Sequence, residues 1–493
     1  MESVFAAFER TAQRNRGKPF LDPPGLSYAD CLEQARALAG LYRARGYGRG
    51  HRVALKLGNR PEFLLHFLAL NSLGASIVPL NPEYRPAELE YVLRHSEACL
   101  VIDESRAQDL SKLPADLSAL PKATPPGDAA ECALLYTSGT TGKPKGCLLS
   151  DFYFLNIARR YLDEGGLCAV REGEERLITP LPLFHMNALA VSTVAMILSA
   201  GCVVQLDRFH PRSWWESVAR HGATIVHYLG VMPAILLAQP PGPYDRAHRV
   251  RFGYGANANP KDHAAFEARF GFPLIEAWAM TETGGGALIA ASREPRHVGT
   301  RCIGSPPSGL DIKIEPDSGE LLVKQSGAEP RKGFFSGYYK DQAATEDAWR
   351  DGWFHTGDAV RRGPDGQLHF VDRRKNIIRR SGENIAALEV EAALAGHPAV
   401  QQVAVIAVPD PVRDEEVMAC IVLNDKMHSK HETAISIQDW CLERLAYFKA
   451  PGYVAFLDEL PVTSTNKVQK AKLADFPIDP ARRFDLRERK KRA

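Results

Sequence analysis

Short β-rich runs alternate with helical segments along the chain as far as about Gly309. Residues 53–57 are predicted to form a strand, 61–73 a helix with proline in its first turn, and 76–80 the next strand. Further strands are predicted at 99–102, 176–179, 224–227 and 249–252. Strands that alternate with helices form βαβ units, whose parallel strands are covered by helices on both faces. The sequence therefore predicts an α/β fold with a large N-terminal domain of stacked, mainly parallel sheets.

The pattern changes twice in the second half of the chain. Beyond Gly309 the runs become short and glycine-rich, as in 311–315 and 320–324, which is typical of antiparallel strands in a small β-rich subdomain. A compact α+β unit is then predicted from a helix, two strands and a helix at 387–395, 400–408, 417–423 and 435–445.

These changes predict the domain organisation. We expect an N-terminal domain at 1–374 and a small, mobile C-terminal domain at 375–480. Residues 482–492 include seven basic and two acidic side chains, so 481–493 is expected to be a disordered basic tail.

Composition narrows the class of protein. With 493 residues, 45% hydrophobic residues and a net charge of +2, the chain has the character of a soluble protein without a general attraction to nucleic acid. The nine scattered cysteines contain no C-x-x-C pair, which indicates a reducing, cytoplasmic location. Residues 186–206 carry no charge, but their polar residues and Gly201 favour a buried helix followed by a buried strand over a membrane span.

Residues 133–146, with the sequence ALLYTSGTTGKPKG, join an apolar run to a loop of glycine, hydroxyl residues and lysine. Glycine lets backbone N–H groups approach an anion, and the hydroxyls and lysines add donors and positive charge. The spacing differs from G-x-x-x-x-G-K-[ST], so the loop predicts a nucleotide-phosphate site of another type. A flexible surface loop is the alternative, and it accounts for this composition less well.

Three further polar clusters are ambiguous when each is considered alone. Thr281 and Glu282, in AWAMTETGGG, offer hard oxygen ligands for Mg²⁺, but they are equally consistent with a solvated turn. Asp358, in GWFHTGD, is placed to bind ribose hydroxyls, although aspartate in a turn commonly bonds its own backbone. Lys467 is a single lysine in a polar loop, a position that is normally solvated.

In order and spacing, the phosphate loop and the segments WAMTE, GWFHTGD, DRRK and TSTNK resemble the motifs of the ANL family. That family comprises acyl-CoA synthetases, peptide-synthetase adenylation domains and firefly-type luciferases, and the resemblance extends from about Leu70 to Lys470. It implies an AMP-forming carboxylate–CoA ligase that uses ATP, Mg²⁺ and coenzyme A. The acid would first form an acyl-adenylate with release of pyrophosphate, and the CoA thiol would then displace AMP.

The resemblance also implies roles for individual residues. The phosphate-binding residues would be Thr137, Ser138, Gly139, Thr140, Thr141, Gly142 and Lys145. Thr281 and Glu282 would bind phosphate and Mg²⁺, and Trp278, Gly255 and Ala256 would contact the adenine. Asp358 and Arg373 would bind the ribose, and Lys467 would contact the reacting carboxylate–phosphate bond. The positions for the second step would be His185 as an aromatic gate, Lys375 as the hinge, and Ser381, Gly382 and Glu383 on the CoA side.

The same resemblance places the acyl pocket at Met186, Asn187, His227, Tyr228, Tyr254, Ala277 and Ala279. Tyr228, Tyr254 and Trp278 are expected to form an aromatic wall that suits a ring or a quaternary ammonium group. The amino-acid sequences of 182–187 and 380–385 resemble those of the carnitine/crotonobetaine–CoA ligase branch. The alternative is that the aromatic residues only shape an apolar pocket for another small or medium acid. Ala279 and Asn466 stand where the family usually has glycine, and 380–383 contains one glycine where many relatives have two.

Other functions remain compatible with the sequence. A stand-alone adenylation enzyme that loads a separate carrier protein is the first alternative, and a non-catalytic ATP- or AMP-binding module and a luciferase are others. The sequence identifies neither the acid nor the oligomeric state, and a homodimer is left open.

Overall fold

The computed structural model of the chain describes residues 2–84, 86–107, 131–137, 144–373, 376–380, 383–410, 413–424, 431–445, 447–462, 468–474, 476 and 478–490. The chain divides into two compact units, which we describe separately. The first unit contains Met1–Lys313, Leu322–His355 and Pro364–Leu368, and the second contains Ile314–Leu321, Thr356–Gly363 and His369–Ala493. The domain boundary expected at residue 374 stays a prediction.

The helices and strands are numbered in chain order. The helices are α1 (Val4–Arg14), α2 (Tyr28–Ala44), α3 (Pro61–Ser72), α4 (Pro86–Ser96), α5 (Asp151–Asp163), α6 (Val194–Leu198), α7 (Trp214–Arg220), α8 (Val231–Leu237), α9 (Pro260–Phe270), α10 (Gln342–Ala348), α11 (Ala387–Leu394), α12 (His431–Leu442) and α13 (Lys470–Ala474). The first strands are β1 (Pro19–Asp22), β2 (Leu26–Ser27), β3 (Arg52–Leu55), β4 (Ser76–Pro79), β5 (Leu100–Ile102), β6 (Glu131–Thr137), β7 (Lys145–Ser150), β8 (Arg176–Thr179), β9 (Cys202–Gln205), β10 (Ile225–Leu229), β11 (Phe252–Ala256), β12 (Leu274–Trp278) and β13 (Ile289–Ala290). The remaining strands are β14 (Cys302–Gly304), β15 (Leu310–Ile314), β16 (Glu320–Gln325), β17 (Gly337–Tyr338), β18 (Phe354–Arg362), β19 (Leu368–Arg373), β20 (Ile377–Arg380), β21 (Glu383–Ala386), β22 (Val400–Asp410), β23 (Asp414–Leu423), β24 (Tyr453–Leu457) and β25 (Arg483–Asp485).

Two sheets of the first unit carry most of its strands. One has the order β13-β12-β11-β10-β8-β9-β1-β2, with parallel pairing from β12 through β1 and antiparallel strands at both edges. The other has the order β17-β7-β6-β4-β3-β5, in which β6, β4, β3 and β5 are parallel. Strands such as β4, β9 and β12 are buried along their whole length, as expected of parallel strands covered on both faces. The predicted α/β class with mainly parallel sheets is confirmed.

One predicted strand is displaced along the sequence. The run expected at 249–252 is a strand only from Phe252, and it continues to Ala256 through two glycines. A Cβ atom at Gly253 would lie 2.7 Å from Leu274 Cδ2, and one at Gly255 would lie 2.2 Å from the carbonyl oxygen of Tyr228. The glycines therefore permit close packing inside the sheet, although glycine is unusual in strands and weakened the sequence signal.

The uncharged segment 186–206 is interior structure. A π-helical segment, Asn187–Thr193, leads into α6, and β9 follows. Among the described residues, no helix is long and apolar enough to cross a membrane. The expected order of a buried helix and then a buried strand is confirmed.

The glycine-rich region beyond Gly309 contributes strands to a further sheet. That sheet contains β14, β15, β16, β18 and β19. The strands expected at 311–315 and 320–324 correspond to β15 and β16.

The second unit also contains an α+β core. Its sheet has the order β21-β20-β23-β24-β25, and β22 pairs with β23. Helices α11 and α12 pack on this sheet through a shared apolar cluster. The cluster includes Ile378, Ile385, Val390, Leu394, Val405, Val417, Ile421, Ile437, Val454 and Phe456. This agrees with the predicted small α+β C-terminal domain.

The expected disordered tail at 481–493 is corrected by the structure as far as Lys490. Strand β25 pairs antiparallel with β24, and Arg487 bonds Asp410 at 2.8 Å. Residues 491–493 lie outside the described residues. The prediction was wrong because a run of basic residues was read as solvated, whereas its acidic partners lie far away in the sequence.

Lys490 belongs to a buried charge cluster with Glu416 and Arg380. Its Nζ donates to Glu416 Oε1 at 2.5 Å and to the carbonyl oxygen of Phe448 at 3.2 Å, and Arg380 Nε donates to Glu416 Oε2 at 2.8 Å. Two cations thus share one carboxylate in the interior. Burial lowers the pKa of Lys490 from its usual 10.5 to about 8, against the opposing attraction of Glu416.

We expect Lys490→Met to remove a specific pH dependence of stability. Because the folded pKa is depressed, the unfolded chain binds more protons above pH 8, and the free energy of unfolding gains up to about 3 kcal/mol from this group between pH 8 and 10.5. The measurement is urea denaturation of wild type and variant at several pH values. The wild type should gain stability relative to the variant as the pH rises.

Arg489→Met is the matched control, because Arg489 is an exposed neighbour that pairs with Asp439. Its pH profile should follow that of the wild type. Parallel profiles for Lys490→Met and wild type would contradict the depressed pKa of Lys490.

Candidate functional site

The candidate nucleotide site lies at the carboxyl ends of three adjacent parallel strands. Strands β10, β11 and β12 end at Leu229, Ala256 and Trp278, and the register places Tyr228, Gly255 and Glu276 side by side. Open α/β sheets bind ligands at this edge, because loops leave the parallel strands there together. The structure therefore brings the predicted adenine residues, Gly255, Ala256 and Trp278, onto neighbouring strands of one edge.

The loop that follows β11 is fixed by the buried carboxylate of Glu276. Its Oε2 accepts a hydrogen bond from Asn257 N at 2.8 Å, and its Oε1 accepts from Ala258 N at 2.8 Å and from the Tyr228 hydroxyl at 2.9 Å. Asn257 has a φ of +63°, a conformation that needs such support in a residue other than glycine. Burial raises the pKa of Glu276, and the donated hydrogen bonds oppose that rise.

Glycine at position 230 completes the support of this loop. A Cβ atom at Gly230 would lie 1.7 Å from the carbonyl oxygen of Asn257, so no larger residue fits without moving the loop. Sequence reasoning missed Glu276, although its place two residues before Trp278 puts it on the same face of β12.

We expect Glu276→Gln to weaken AMP binding by about tenfold, since an amide cannot accept at both oxygens from two backbone N–H groups and the loop loses its anchor. The measurement is calorimetric titration with AMP.

Glu175→Gln is the control, because Glu175 is also buried and accepts from Arg171 N at 2.9 Å and Thr224 Oγ1 at 2.5 Å. It should change stability without changing AMP affinity. Equal AMP affinity in Glu276→Gln and wild type would show that the loop does not need this anchor.

The predicted phosphate loop is carried by the β6–β7 hairpin. Thr137 and Lys145 lie opposite each other at the ends of these antiparallel strands. The residues between them that were predicted to bind phosphate, Ser138, Gly139, Thr140, Thr141 and Gly142, lie outside the described residues. The structure therefore gives the positions of Thr137 and Lys145 at the two ends of the loop. The phosphate contacts of the loop stay a prediction.

Thr281 and Glu282 lie in a packed turn after β12. Glu282 is buried, its Oε1 accepts from the Tyr338 hydroxyl at 2.9 Å, and its carbonyl oxygen accepts from Phe335 N at 2.9 Å. The carbonyl oxygen of Thr281 accepts from the Tyr153 hydroxyl at 2.8 Å. The alternative of a solvated turn is therefore wrong.

The three glycines after Glu282 explain how the turn packs so closely. Cβ atoms at Gly284, Gly285 and Gly286 would lie 2.1 Å from the Tyr153 ring, 2.6 Å from Ile157 N and 2.2 Å from the Phe334 ring. Helix α5 and Phe334 therefore hold the turn from both sides. A carboxylate and a hydroxyl held in this way are a donor set that suits Mg²⁺, which takes few protein ligands together with phosphate oxygens.

The phosphate-loop hairpin and the Thr281–Glu282 turn meet at one aromatic ring. Tyr338 lies opposite Cys147 in the β17–β7 pair, and Lys145 Nζ lies 4.8 Å from the centroid of the Tyr338 ring. The same residue donates its hydroxyl hydrogen to Glu282. Two motifs that are distant in sequence are thus joined through Tyr338, which sequence reasoning did not identify.

The candidate ribose residues belong to the second unit and lie together there. Asp358 is buried, its Oδ1 lies 3.5 Å from Arg373 Nε, and its backbone N–H donates to Thr356 Oγ1 at 3.1 Å. The Thr356 hydroxyl in turn donates to the carbonyl oxygen of Leu321 at 2.6 Å. The local contact expected of a turn aspartate is present at the Asp358 N–H, which donates to the Thr356 hydroxyl.

The predicted catalytic, hinge and CoA-side residues are described only in part. Lys467, Lys375, Ser381 and Gly382 lie outside the described residues. Glu383 is in β21, opposite Arg380 in β20. Close to the expected hinge, the chain is anchored by Asp372, whose Oδ2 accepts from Leu388 N at 2.9 Å.

Three of the predicted acyl-pocket residues share one face of the first sheet. His227 lies beside Tyr254 in the register, and Ile275 follows on β12, so Ala277 belongs to the same face. The Tyr254 ring also contacts the Tyr161 ring, with 4.5 Å between centroids.

His227 is fully engaged by its neighbours on this face. Its Nδ1 lies 2.8 Å from Ser192 Oγ and its Nε2 lies 3.0 Å from the Tyr161 hydroxyl, while the Ser192 hydroxyl donates to the carbonyl oxygen of Asn187 at 3.1 Å. Burial lowers the pKa of His227 to about 3, so the imidazole is neutral at physiological pH. The Tyr161 O–H then donates to Nε2, and Nδ1–H donates to Ser192 Oγ.

The aromatic wall expected from Tyr228, Tyr254 and Trp278 is not formed on one face. Because side chains alternate along a strand, Tyr228 points away from the face of His227 and Tyr254. Its ring lies over Gly255, where a Cβ atom would be 2.8 Å from Tyr228 Cγ. Tyr228 and Trp278 are therefore on the face of Glu276, and the prediction was wrong because it ignored the period of two.

The remaining acyl-pocket candidates are near the surface. Met186 and Asn187 are half-buried at the start of the π-helical segment, Ala279 is half-buried after β12, and His185 is exposed beside Phe184. Leu229, which sequence reasoning missed, is 43% exposed at the end of β10 next to Ala256. Because a large apolar side chain is exposed at this edge, Leu229 is a further candidate for the acyl face. Only the structure shows this exposure.

Comparison with known proteins shows the family to which the chain belongs. A model of the AMP-binding enzyme family matches residues 8–339, and a model of the AMP-binding enzyme C-terminal domain matches residues 389–467. The first match covers both the phosphate-loop hairpin and the Thr281–Glu282 turn.

Individual proteins resemble the chain over nearly its full length. The sulfoacetate–CoA ligase of Cupriavidus necator is 33% identical over 92% of this chain and 94% of that protein. A crotonobetaine/carnitine–CoA ligase of Escherichia coli is 30% identical over 91% of this chain and 92% of that protein. The o-succinylbenzoate CoA synthetase of Bacillus subtilis, solved with an acyl-adenylate intermediate, has a TM-score of 0.83 and 27% identity over 97% of this chain and 99% of that chain.

Proposed function

Because the chain belongs to the AMP-binding enzyme family and is an AMP-forming acyl-CoA ligase that uses ATP and CoA, we propose that its substrate is a short carboxylic acid. The observation that carries this proposal is the packing of Tyr161, His227 and Tyr254 on the acyl face. The ring of Tyr161 on α5 packs against the buried rings of His227 and Tyr254 on the sheet, which favours an acid with few carbons. The two relatives named above are ligases of sulfoacetate and of crotonobetaine or carnitine, which are also short acids.

In the first step, a carboxylate oxygen attacks the α-phosphorus of ATP and the bond to the β-phosphate oxygen breaks. Lys145 and the loop from Thr137 are proposed to hold the departing pyrophosphate. Thr281 and Glu282 are proposed to hold Mg²⁺, which would neutralise charge on the phosphate oxygens. The packed turn, with Glu282 fixed by Tyr338, supports this assignment.

The nucleoside is proposed to bind at the ends of β11 and β12. Trp278 would contact the adenine, and Gly255 and Ala256 would provide close approach of the backbone. The support of this loop by Glu276 is consistent with such a role. Asp358 and Arg373, which form an ion pair in the second unit, are proposed to bind the ribose hydroxyls.

In the second step, the CoA thiol attacks the acyl carbon and AMP leaves. His185 is proposed as the gate, Lys375 as the hinge, and Ser381, Gly382 and Glu383 as the CoA side. The nine cysteines are free thiols, which supports the proposed cytoplasmic location.

We expect short acids to support ATP–pyrophosphate exchange and, with CoA, thioester formation. The measurement is exchange over a panel of acids of increasing chain length, including acids with a sulfonate or quaternary ammonium group at the far end. Exchange should fall as the chain lengthens.

A preference for long acids would contradict the short-acid proposal. Exchange without any CoA thioester would instead indicate a separate carrier protein as acceptor, and absence of exchange with every acid would favour a binding module.

We expect Lys467→Ala to slow adenylation by about a hundredfold or more, because its charge is proposed to stabilise the transition state. Thioester formation from preformed acyl-adenylate and binding of ATP should change little. The measurement is the rate of each half-reaction by rapid quench.

Lys472→Ala, an exposed lysine of the same segment, should leave both rates unchanged. An equal loss in both half-reactions of Lys467→Ala would contradict the proposed role.

A further inference from the structure

We propose that Tyr338 is a positioning residue that orients the Glu282 carboxylate toward the phosphates of ATP and couples it to the end of the phosphate loop. The inference rests on the proposed function of Glu282 and Lys145. It predicts that the Tyr338 hydroxyl matters for binding of ATP with Mg²⁺ and not for binding of the nucleoside part.

The first support is the hydrogen bond to Glu282. The Tyr338 hydroxyl lies 2.9 Å from Glu282 Oε1 and donates to it. Hydrogen bonds to a charged acceptor are stronger than neutral ones, so this contact selects one orientation of the carboxylate. Burial and the adjacent Glu282 charge raise the pKa of Tyr338, which keeps the hydroxyl protonated and able to donate.

The Tyr338 side chain is itself held in place from several directions. Its backbone N–H donates to Thr345 Oγ1 at 2.9 Å, and its ring meets that of Phe335 edge to face at 4.8 Å. Strand β17, to which it belongs, pairs with β7 through Cys147. A ring restrained in this way can impose its position on a flexible carboxylate.

The second support is the contact with Lys145. The Nζ atom of Lys145 lies 4.8 Å from the centroid of the Tyr338 ring, within the range of a cation–π interaction. Lys145 is the first residue of β7 and lies opposite Thr137. One ring therefore contacts both a residue proposed to bind phosphate and a residue proposed to bind Mg²⁺.

Two further titratable groups face Glu282, the Cys147 thiol and the Tyr153 hydroxyl, and burial together with the Glu282 charge raises the pKa of both. Both groups therefore stay neutral, and neither neutralises the carboxylate.

The neighbouring residue Tyr339 provides a matched comparison. Its hydroxyl donates to Glu97 Oε2 at 2.6 Å, and Arg52 lies 4.0 Å from its ring centroid. It has the same chemical groups in the same segment, but its carboxylate partner is exposed and is not proposed to bind the nucleotide.

The experiment compares Tyr338→Phe with Tyr339→Phe by calorimetry, without carboxylic acid so that no reaction occurs. We expect Tyr338→Phe to weaken binding of ATP with Mg²⁺ by about tenfold, and to leave the affinity for AMP within about twofold. Tyr339→Phe should leave both affinities unchanged. An equal loss for ATP and AMP, or no loss for either, would overturn the proposal.

Glu282→Gln provides a second route if Tyr338→Phe is also less stable. When Glu282 is already Gln, adding Tyr338→Phe should cause little further loss of ATP affinity, because both changes disrupt one contact. Additive losses would overturn the proposal.

Failure of the proposed function can be told apart from failure of this inference. If the wild type binds ATP with Mg²⁺ but forms no adenylate, the proposed function fails, and the comparison of variants still decides the role of Tyr338. If the wild type does not bind it, both fail.

Discussion

The in-register parallel pairing of β10, β11 and β12 is the constraint on which the candidate site depends. It places Tyr228, Gly255 and Glu276 side by side, and it brings the loops that follow the three strands to one edge. Since Gly253 and Gly255 leave room for neighbouring side chains, the strands approach closely enough for Glu276 to reach the backbone of the next loop. The buried Glu276 carboxylate stabilises the turn at Asn257, whose backbone has a positive φ.

The same pairing places the residues proposed for the nucleotide and those proposed for the acyl group on two faces of the sheet. Tyr228, Glu276 and Trp278 lie on the face that supports the nucleotide loop. His227, Tyr254 and Ala277 lie on the face proposed for the acyl group. The hydrogen bonds from Tyr161 through His227 to Ser192 engage both ring nitrogens of the neutral His227 imidazole.

Much of the fold can be predicted from local sequence patterns, because burial of a strand on both faces and capping of a helix each depend on a few neighbouring residues. Strand β8 coincides with its predicted range, and the α/β class and the C-terminal α+β unit were predicted correctly. The site motifs are also local, so the phosphate loop and Thr281 with Glu282 could be proposed from composition and resemblance, and their roles stay predictions. The packing of that turn against α5 was not predictable, since it depends on Tyr153 and Phe334.

What sequence reasoning missed involves partners that are distant in the chain. Glu276, Tyr338 and Lys490 each act through close contacts with residues that no local pattern reveals. The error over Tyr228 was different, because the strand period alone separates it from His227 and Tyr254.

The central claim is that the bond formed first joins the acid to the α-phosphorus of ATP. The most direct test uses a substrate acid labelled with ¹⁸O in its carboxylate, with mass analysis of the products after thioester formation. The account predicts one ¹⁸O atom in AMP and none in pyrophosphate, because the carboxylate oxygen that attacks phosphorus leaves with AMP. Label in inorganic phosphate with formation of ADP would contradict it.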